Sequence, residues 1–139
     1  MKRSSNFSGG STFKVKKKNN EEDFLQMNFA FWLDQQGFLY TASCAGMKTH
    51  IKIASKMKKM GSKKGFPDII ILEPIGEYHG LFIELKSSTG RASKEQKEWR
   101  DELNKRKYVS VIMPTGLVFQ DGLEWCKTQV RAYMNFIKG

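Results

Sequence analysis

Histidine and cysteine are scarce in this chain, which holds two of each. Cys44 and Cys126 lie far apart and form no Cys-x-x-Cys pair, so we expect reduced thiols and no disulfide or zinc framework. His50 and His79 are too few for a histidine-based metal site. The sequence also lacks a signal peptide and any run of about 18 apolar residues. We therefore expect a soluble protein of the cytoplasm, with no membrane partner.

Acidic residues are also fewer than basic residues in this chain. The chain has 24 Lys and Arg against 14 Asp and Glu, which gives a net charge of +10. Such an excess favours a polyanionic partner, usually a nucleic acid, although a basic surface can also serve solubility alone. The 139 residues, 40% of them hydrophobic, suffice for one compact domain. Residues 1–20 contain no acid and are predicted to form a basic arm before a single domain at 21–139.

Apolar periodicity and turn residues predict the order α-β-α-β-β-α-β-α. Helices are expected at 21–36, in a short segment around Ile51–Met57, at 94–107 and at 120–137, and strands at 38–41, 69–72, 81–85 and 108–113. Ile69–Leu72 is continuously apolar, as in a strand buried on both faces. The pattern predicts an α/β fold with a mixed central sheet flanked by helices.

The long connection at 42–66 carries seven lysines and no acidic residue: Lys48, Lys52, Lys56, Lys58, Lys59, Lys63 and Lys64. We interpret this segment as a DNA-facing element. The alternative is a lysine face that is simply solvated.

Charged residues at the ends of two predicted strands indicate a candidate catalytic site. Side chains alternate along a strand, so Glu84 and Lys86 share a face and Leu85 points to the other. Asp68 begins the neighbouring strand, with 15 residues between it and Glu84, and pairing would bring both carboxylates to one rim of the sheet. Converging carboxylates suit a hard cation such as Mg²⁺ or Mn²⁺, and such a site can hydrolyse a phosphodiester. The alternative is a surface salt bridge between Glu84 and Lys86.

These residues belong to a wider pattern. Gly-Phe-Pro-Asp at 65–68, Glu-Leu-Lys at 84–86 and Ser-Lys-Glu-Gln at 93–96 follow one another in order. Together they resemble the VRR-NUC domain of the PD-(D/E)xK nuclease superfamily, whose fold is restriction-endonuclease-like. The resemblance departs at Lys107-Tyr108, where the family often has Gly-Tyr.

The resemblance implies a role for each matching residue. Asp68, Glu84 and the Leu85 carbonyl would bind the metal, and Lys86 would be the catalytic lysine. Glu22 matches a further acidic residue of the family, with Glu21 as a substitute, although acids in a first helical turn need no catalytic reason. Gln96 matches a glutamine near that lysine or the scissile phosphate, although a capping box with Ser93 would also explain it.

The resemblance further implies an endonuclease acting on branched DNA, including four-way junctions. The expected DNA contacts are Lys48, Lys52, Lys56, Lys59, Lys63, Lys64 and Arg91. One alternative is a DNA-binding module of the same fold without catalysis. Another is an RNA-binding or RNA-cutting protein, which the core-like spacing of the aromatic residues disfavours.

The last helix predicts a homodimer. Leu123, Val130, Tyr133 and Ile137 form one apolar stripe that can dock on the sheet, and Trp125, Ala132 and Phe136 form a second. A second stripe would be exposed in a monomer unless the helix is buried on most sides, and exposed apolar patches often mark interfaces.

Overall fold

The computed structural model describes residues 18–44 and 50–136, with side chains from residue 21 onward. The elements are α1 (Lys18–Gln36), β1 (Tyr40–Ala42), α2 (Ile51–Lys59), β2 (Ile69–Ile71), β3 (Leu81–Glu84), α3 (Lys94–Lys105), β4 (Val109–Ile112) and α4 (Phe119–Met134). This order and the mixed sheet confirm the predicted α/β class. Within the described ranges, no helix is both long and apolar enough to cross a membrane.

The four strands form one sheet in the order β1-β2-β3-β4. β2 pairs antiparallel with both β1 and β3, whereas β3 and β4 are parallel because α3 connects them. Ile69 on β2 lies opposite Ile83 on β3. Asp68 lies at a bend just before β2, where its N–H donates to the Ile83 carbonyl at 3.1 Å and its Oδ2 accepts from the Leu85 N–H at 2.8 Å. These bonds to the residues on either side of Glu84 bring the two carboxyls together.

The two faces of β3 differ in chemistry. On one face, three fully buried side chains join a core with α1 and α4: Leu81, Ile83 and Leu85. On the opposite face, which α3 adjoins, lie Phe82, Glu84 and Lys86. The period of two in the strand therefore separates an apolar layer from the layer that holds the charged groups.

The core layer is built from helical rows that face the sheet. Leu25, Phe29 and Leu33 repeat every four residues along α1 and are buried. α4 contributes Val130 and Tyr133, and the Tyr133 hydroxyl donates to the Glu73 carbonyl at 2.6 Å. This packing fixes α1 at an angle that brings its first turns toward the end of β3.

Gly65 allows the chain to pass directly under α3 just before Asp68. Its φ is +87°, and a Cβ at this position would lie 2.7 Å from both the carbonyl carbon and the Cβ of Glu95. Glycine alone meets both requirements, since it tolerates positive φ and has no side chain. The Gly-x-Pro-Asp sequence therefore sets Asp68 beside the first turn of α3.

Several helices and strands begin or end at residues other than those predicted. β1 covers Tyr40–Ala42 instead of 38–41, because Phe38 packs against Trp32 and the Leu39 N–H donates to the Glu73 side chain at 2.8 Å. α1 begins at Lys18, three residues earlier than predicted, and thus extends into the predicted basic arm. The remainder of that arm, together with Lys48 and Ile137, lies outside the described residues.

The structure shows how Lys107 is accommodated where the family often has the glycine of Gly-Tyr. Its φ is +69°, in the left-handed region that favours glycine. The lysine is exposed, and its Nζ lies 2.7 Å from Glu77 Oε1. The turn between α3 and β4 therefore keeps the backbone shape of a glycine turn with a different side chain, at the end of the sheet away from Asp68.

Candidate active site

Glu84 and Lys86 form a buried pair at the end of β3. Lys86 Nζ lies 3.3 Å from Glu84 Oε2, and the two side chains are only 7% (Lys86) and 6% (Glu84) exposed. A surface salt bridge, the alternative that the sequence left open, would leave both groups in water. Burying either group in its charged form carries a large desolvation cost, so the surrounding contacts must compensate for it.

Gln96 supplies those contacts from the first turn of α3. Its Oε1 accepts hydrogen bonds from Lys86 Nζ at 2.7 Å and from the Ser93 N–H at 2.9 Å. Its Nε2 donates to Glu84 Oε2 at 2.8 Å. The Ser93 hydroxyl completes a capping box by accepting from the Gln96 N–H. Gln96 therefore both caps α3 and holds the lysine and the glutamate in fixed positions, so the two interpretations of this residue are compatible.

Asp68 joins the pair from β2. Its Oδ2 accepts a hydrogen bond from the Leu85 N–H at 2.8 Å, and its carboxyl lies beside that of Glu84. These contacts bring Asp68, Glu84 and the main chain of Leu85 to one place at the rim of the sheet.

The first turns of α1 distinguish Glu22 from Glu21. Glu22 approaches the site: its carboxyl accepts a hydrogen bond from the Ser87 backbone, and the charges of Asp68 and Lys86 act on it. Glu21 instead binds Ser88, accepting from its N–H at 2.9 Å and from its hydroxyl at 3.1 and 3.2 Å. Glu21 is thereby engaged outside the carboxylate cluster and attaches α1 to the loop after Lys86. No sequence pattern singled out Ser88.

Three carboxyls close together in a buried setting resist ionisation. Burial, then the charge of Asp68, raises the pKa of Glu84 to about 8. Burial, then again the charge of Asp68, raises the pKa of Glu22 to about 7. Burial also raises the pKa of Asp68, although the Leu85 N–H and Lys86 oppose this. The cluster therefore needs an additional positive charge to be fully ionised near neutral pH.

The donor set fits a hard divalent cation. Glu84 Oε1 is buried and has no hydrogen-bond partner among the described residues, which is costly unless another group completes its environment. Carboxylate and carbonyl oxygens are the ligands that Mg²⁺ and Mn²⁺ prefer. Within the described ranges, no three His, Cys, Asp or Glu side chains converge closely enough to enclose a metal by themselves. Main-chain oxygen and water would therefore complete a site built on Asp68 and Glu84.

The raised pKa of Glu84 gives a pH test in the absence of metal. The folded protein keeps a proton on Glu84 up to about pH 8, whereas the unfolded chain releases it near 4.5. Because the folded state binds more protons between these values, its free energy of unfolding should fall as the pH rises from about 4.5 to about 8. Urea unfolding in EDTA at about pH 5 and about pH 8 measures this fall, and Glu84→Gln should reduce it. An equal fall in the variant would contradict this electrostatic cause.

Most of the residues predicted to contact DNA lie on the surface. The exposed ones are Lys52, Lys56, Lys59, Lys63, Lys64 and Arg91. The first three are on α2, and Lys63 and Lys64 line a shallow groove beside Trp99. Lys48 falls outside the described residues.

Comparisons with known proteins agree with this geometry. The VRR-NUC domain family matches residues 15–114, which contain every residue of the cluster. A solved structure described as a VRR_NUC domain protein superposes with a TM-score of 0.61 at 30% sequence identity, covering 79% of this chain and 88% of that chain. No curated protein matches the sequence. Because the family match spans most of the chain and a relative shares both sequence and fold, the chain belongs to the VRR-NUC domain family and has a nuclease-type fold.

Proposed function

We propose that this protein is a Mg²⁺- or Mn²⁺-dependent endonuclease that hydrolyses phosphodiester bonds of DNA. The observation that carries the proposal is the half-buried Asp68 next to the buried Glu84, whose Oε1 has no partner among the described residues, beside a lysine held by Gln96. A structural ion pair needs neither a second carboxylate nor an oxygen without a partner among the described residues. A site for a metal and a phosphate needs both carboxylates and the lysine.

Each residue of the cluster has a role in this chemistry. Asp68, Glu84, the Leu85 carbonyl and Glu22 would bind the metal. When bound, such an ion polarises a phosphoryl oxygen and lowers the pKa of a water ligand. The ammonium of Lys86 offsets negative charge that develops on the phosphate during attack by water. Gln96 keeps that ammonium in place, because its Oε1 accepts from Lys86 Nζ at 2.7 Å.

Branched DNA is the proposed substrate class, and the support for it is the family resemblance. The direct experiment compares end-labelled linear, flapped and four-way DNA of equal length, with Mg²⁺ or Mn²⁺ and with EDTA. We expect the four-way DNA to be cut fastest, near its branch point. Equal rates on all three would refute the preference for branches, and no cutting of any of them would refute the nuclease.

The runner-up function is a basic DNA-binding module that has lost catalysis. Such a module would bind the same DNA without cutting it under any metal condition. The intact set of Asp68, Glu84, Lys86 and Gln96, joined by hydrogen bonds, favours the enzyme.

Binding should depend steeply on salt, because lysines that neutralise phosphates release counterions. Each phosphate contact contributes about −0.9 to the slope of log K against log salt on duplex DNA. Replacing Lys52, Lys56, Lys59 and Lys63 with Ala should flatten that slope in fluorescence-anisotropy titrations. Lys107, which pairs with Glu77 at the end of the sheet away from Asp68, is the control position. An unchanged slope in the four-lysine variant would show that these lysines face away from DNA.

We also propose a homodimer. Trp125 packs against the core, whereas Ala132 is exposed and Phe136, which contacts Tyr78 and Tyr133 edge-on or tilted, is 43% exposed. Further exposed apolar side chains lie on α1, where Met27 is 57% and Phe31 63% exposed. Light scattering at micromolar concentration should give twice the chain mass of 16.0 kDa. A mass of one chain would refute the dimer, and Phe31→Ser tests the α1 face.

A further inference from the structure

α2 lies on the surface of the part of the domain that the structure describes. Every residue from Ile51 to Met60 is exposed, and none of the helix is buried. Large apolar side chains of the helix are nevertheless exposed, Ile51 by 82%, Ile53 by 53% and Met57 by 39%, and so is Met60 just after it, by 76%. A helix of this length is only marginally stable in water on its own. The exposed apolar side chains therefore indicate a surface that a partner covers.

Six of the ten residues from Ile51 to Met60 form two rows, and Ile51 lies outside both. Lys52, Lys56 and Lys59 form the basic row, and Ile53, Met57 and Met60 form the apolar row. Each row has the spacing i, i+4, i+7, which places its members on one face of a helix. Since the apolar row follows the basic row by one residue, the two faces are about 100° apart. One partner can therefore contact both rows at once.

The charge of the segment identifies the partner. No acidic residue occurs between Asp34 and Asp68, whereas seven lysines do. A second copy of α2 laid against the first would bring two basic rows together, and like charges repel. A polyanion would instead neutralise them. Charge complementarity therefore favours nucleic acid over a second copy of this chain.

Both ends of the connection that carries α2 are fixed beside the active site. The Ser43 N–H donates to the Asp68 carbonyl at 2.9 Å. On the other side, Trp99 Nε1 donates to the Lys64 carbonyl at 3.0 Å, and Gly65 packs under α3. The chain from Lys59 to Lys64 is short, with a reach of at most about 18 Å. DNA bound at the carboxylate cluster would thus lie within reach of α2.

We propose that α2 recognises bases that are not stacked in a duplex, such as those at a branch point. The basic row binds the phosphates, and the apolar row contacts the faces of the exposed bases. Isoleucine and methionine side chains commonly insert between or against bases in this way. In an intact duplex the bases are covered by their neighbours, so the apolar row contributes little there. The inference rests on the proposed function and adds a specificity-determining surface to it.

Two matched triple variants separate the rows. The apolar-row variant carries Ile53→Gln, Met57→Gln and Met60→Gln, and the basic-row variant carries Lys52→Gln, Lys56→Gln and Lys59→Gln. Because none of these side chains is buried, both variants should keep the wild-type fold, which circular dichroism verifies. Binding is measured in EDTA by fluorescence anisotropy, with a linear duplex and a four-way DNA that carries 2-aminopurine at the branch point.

The wild type should prefer four-way DNA and raise 2-aminopurine fluorescence. The apolar-row variant should lose about fivefold or more of that preference, together with the fluorescence change, and keep the salt slope. The basic-row variant should flatten the slope on both DNAs and keep the preference. An unchanged preference in the apolar-row variant would overturn the inference, as would a loss of dimer mass from that variant alone. Failure of the nuclease proposal would appear separately, as no cleavage by the wild type with metal.

Discussion

Asp68→Asn and Glu84→Gln are each expected to abolish cleavage while changing DNA affinity little. Both substitutions keep the shape of the side chain and remove its negative charge. A neutral amide at position 68 cannot supply the ligand charge that the site requires, and the same holds for an amide at position 84. Single-turnover cleavage with Mg²⁺ measures the rate, and anisotropy in EDTA measures the affinity.

The matched control for these variants is Glu77→Gln. Glu77 is exposed and pairs with Lys107 at the opposite end of the sheet, so its loss should leave the cleavage rate unchanged. Thermal unfolding in EDTA verifies that each variant is folded. Wild-type cleavage by either Asp68→Asn or Glu84→Gln would show that the carboxylate pair is structural.

Lys86→Met is expected to lower the cleavage rate by about 10²- to 10⁴-fold, the range for a positioned group that acts on the reacting centre. Methionine keeps most of the length of the lysine side chain without its charge. The loss should appear in kcat rather than KM, because the buried ammonium acts on the charge of the transition state and adds little to overall DNA affinity.

Lys94→Met is the control for position 86. The Lys94 side chain is on the same helix as Gln96 and is 84% exposed, so its removal tests the loss of one surface charge near the site. We expect at most a small change in affinity. If Lys86→Met lowers the cleavage rate by less than about threefold, well below the usual catalytic range, Lys86 is only a structural partner of Glu84.

The centre of the site was predictable because it depends on local rules. The period of two in a strand places Glu84 and Lys86 on one face whatever the rest of the chain does. The apolar run after Asp68 predicts a neighbouring buried strand, and the antiparallel pairing of β2 with β3 brings the residue before that strand to the end of β3, where Glu84 lies. The capping box of Ser93 and Gln96 is likewise a short-range pattern. The second function of Gln96 toward Lys86 depends on how α3 docks, which the sequence does not specify.

Local sequence rules do not decide whether Glu21 or Glu22 reaches the site. Adjacent residues on a helix point about 100° apart, so the one that reaches the site depends on the rotation of α1 against the sheet. That rotation follows from the packing of Leu25, Phe29 and Leu33. The hydrogen bonds from Ser88 to Glu21 span 67 residues and have no counterpart in any sequence pattern.

For the apolar residues of α4 and α2, the sequence did not indicate whether they pack within the chain or against a partner. Periodicity shows that a face is apolar and does not show what covers it. On α4 the second stripe is only partly covered within the chain, because Trp125 packs against the core whereas Ala132 and Phe136 are exposed. On α2 the lysine face lies on the surface as predicted, and the apolar row beside it is exposed as well.

Metal removal and restoration tests the proposed reaction most directly. Wild-type protein is stripped with EDTA, mixed with end-labelled four-way DNA, and then supplied with Mg²⁺ or Mn²⁺ in excess. We predict no cleavage in EDTA and full recovery when either ion is added, because Asp68 and Glu84 require a cation to act on a phosphate. Cleavage at full rate in excess EDTA would contradict metal-dependent hydrolysis at this site.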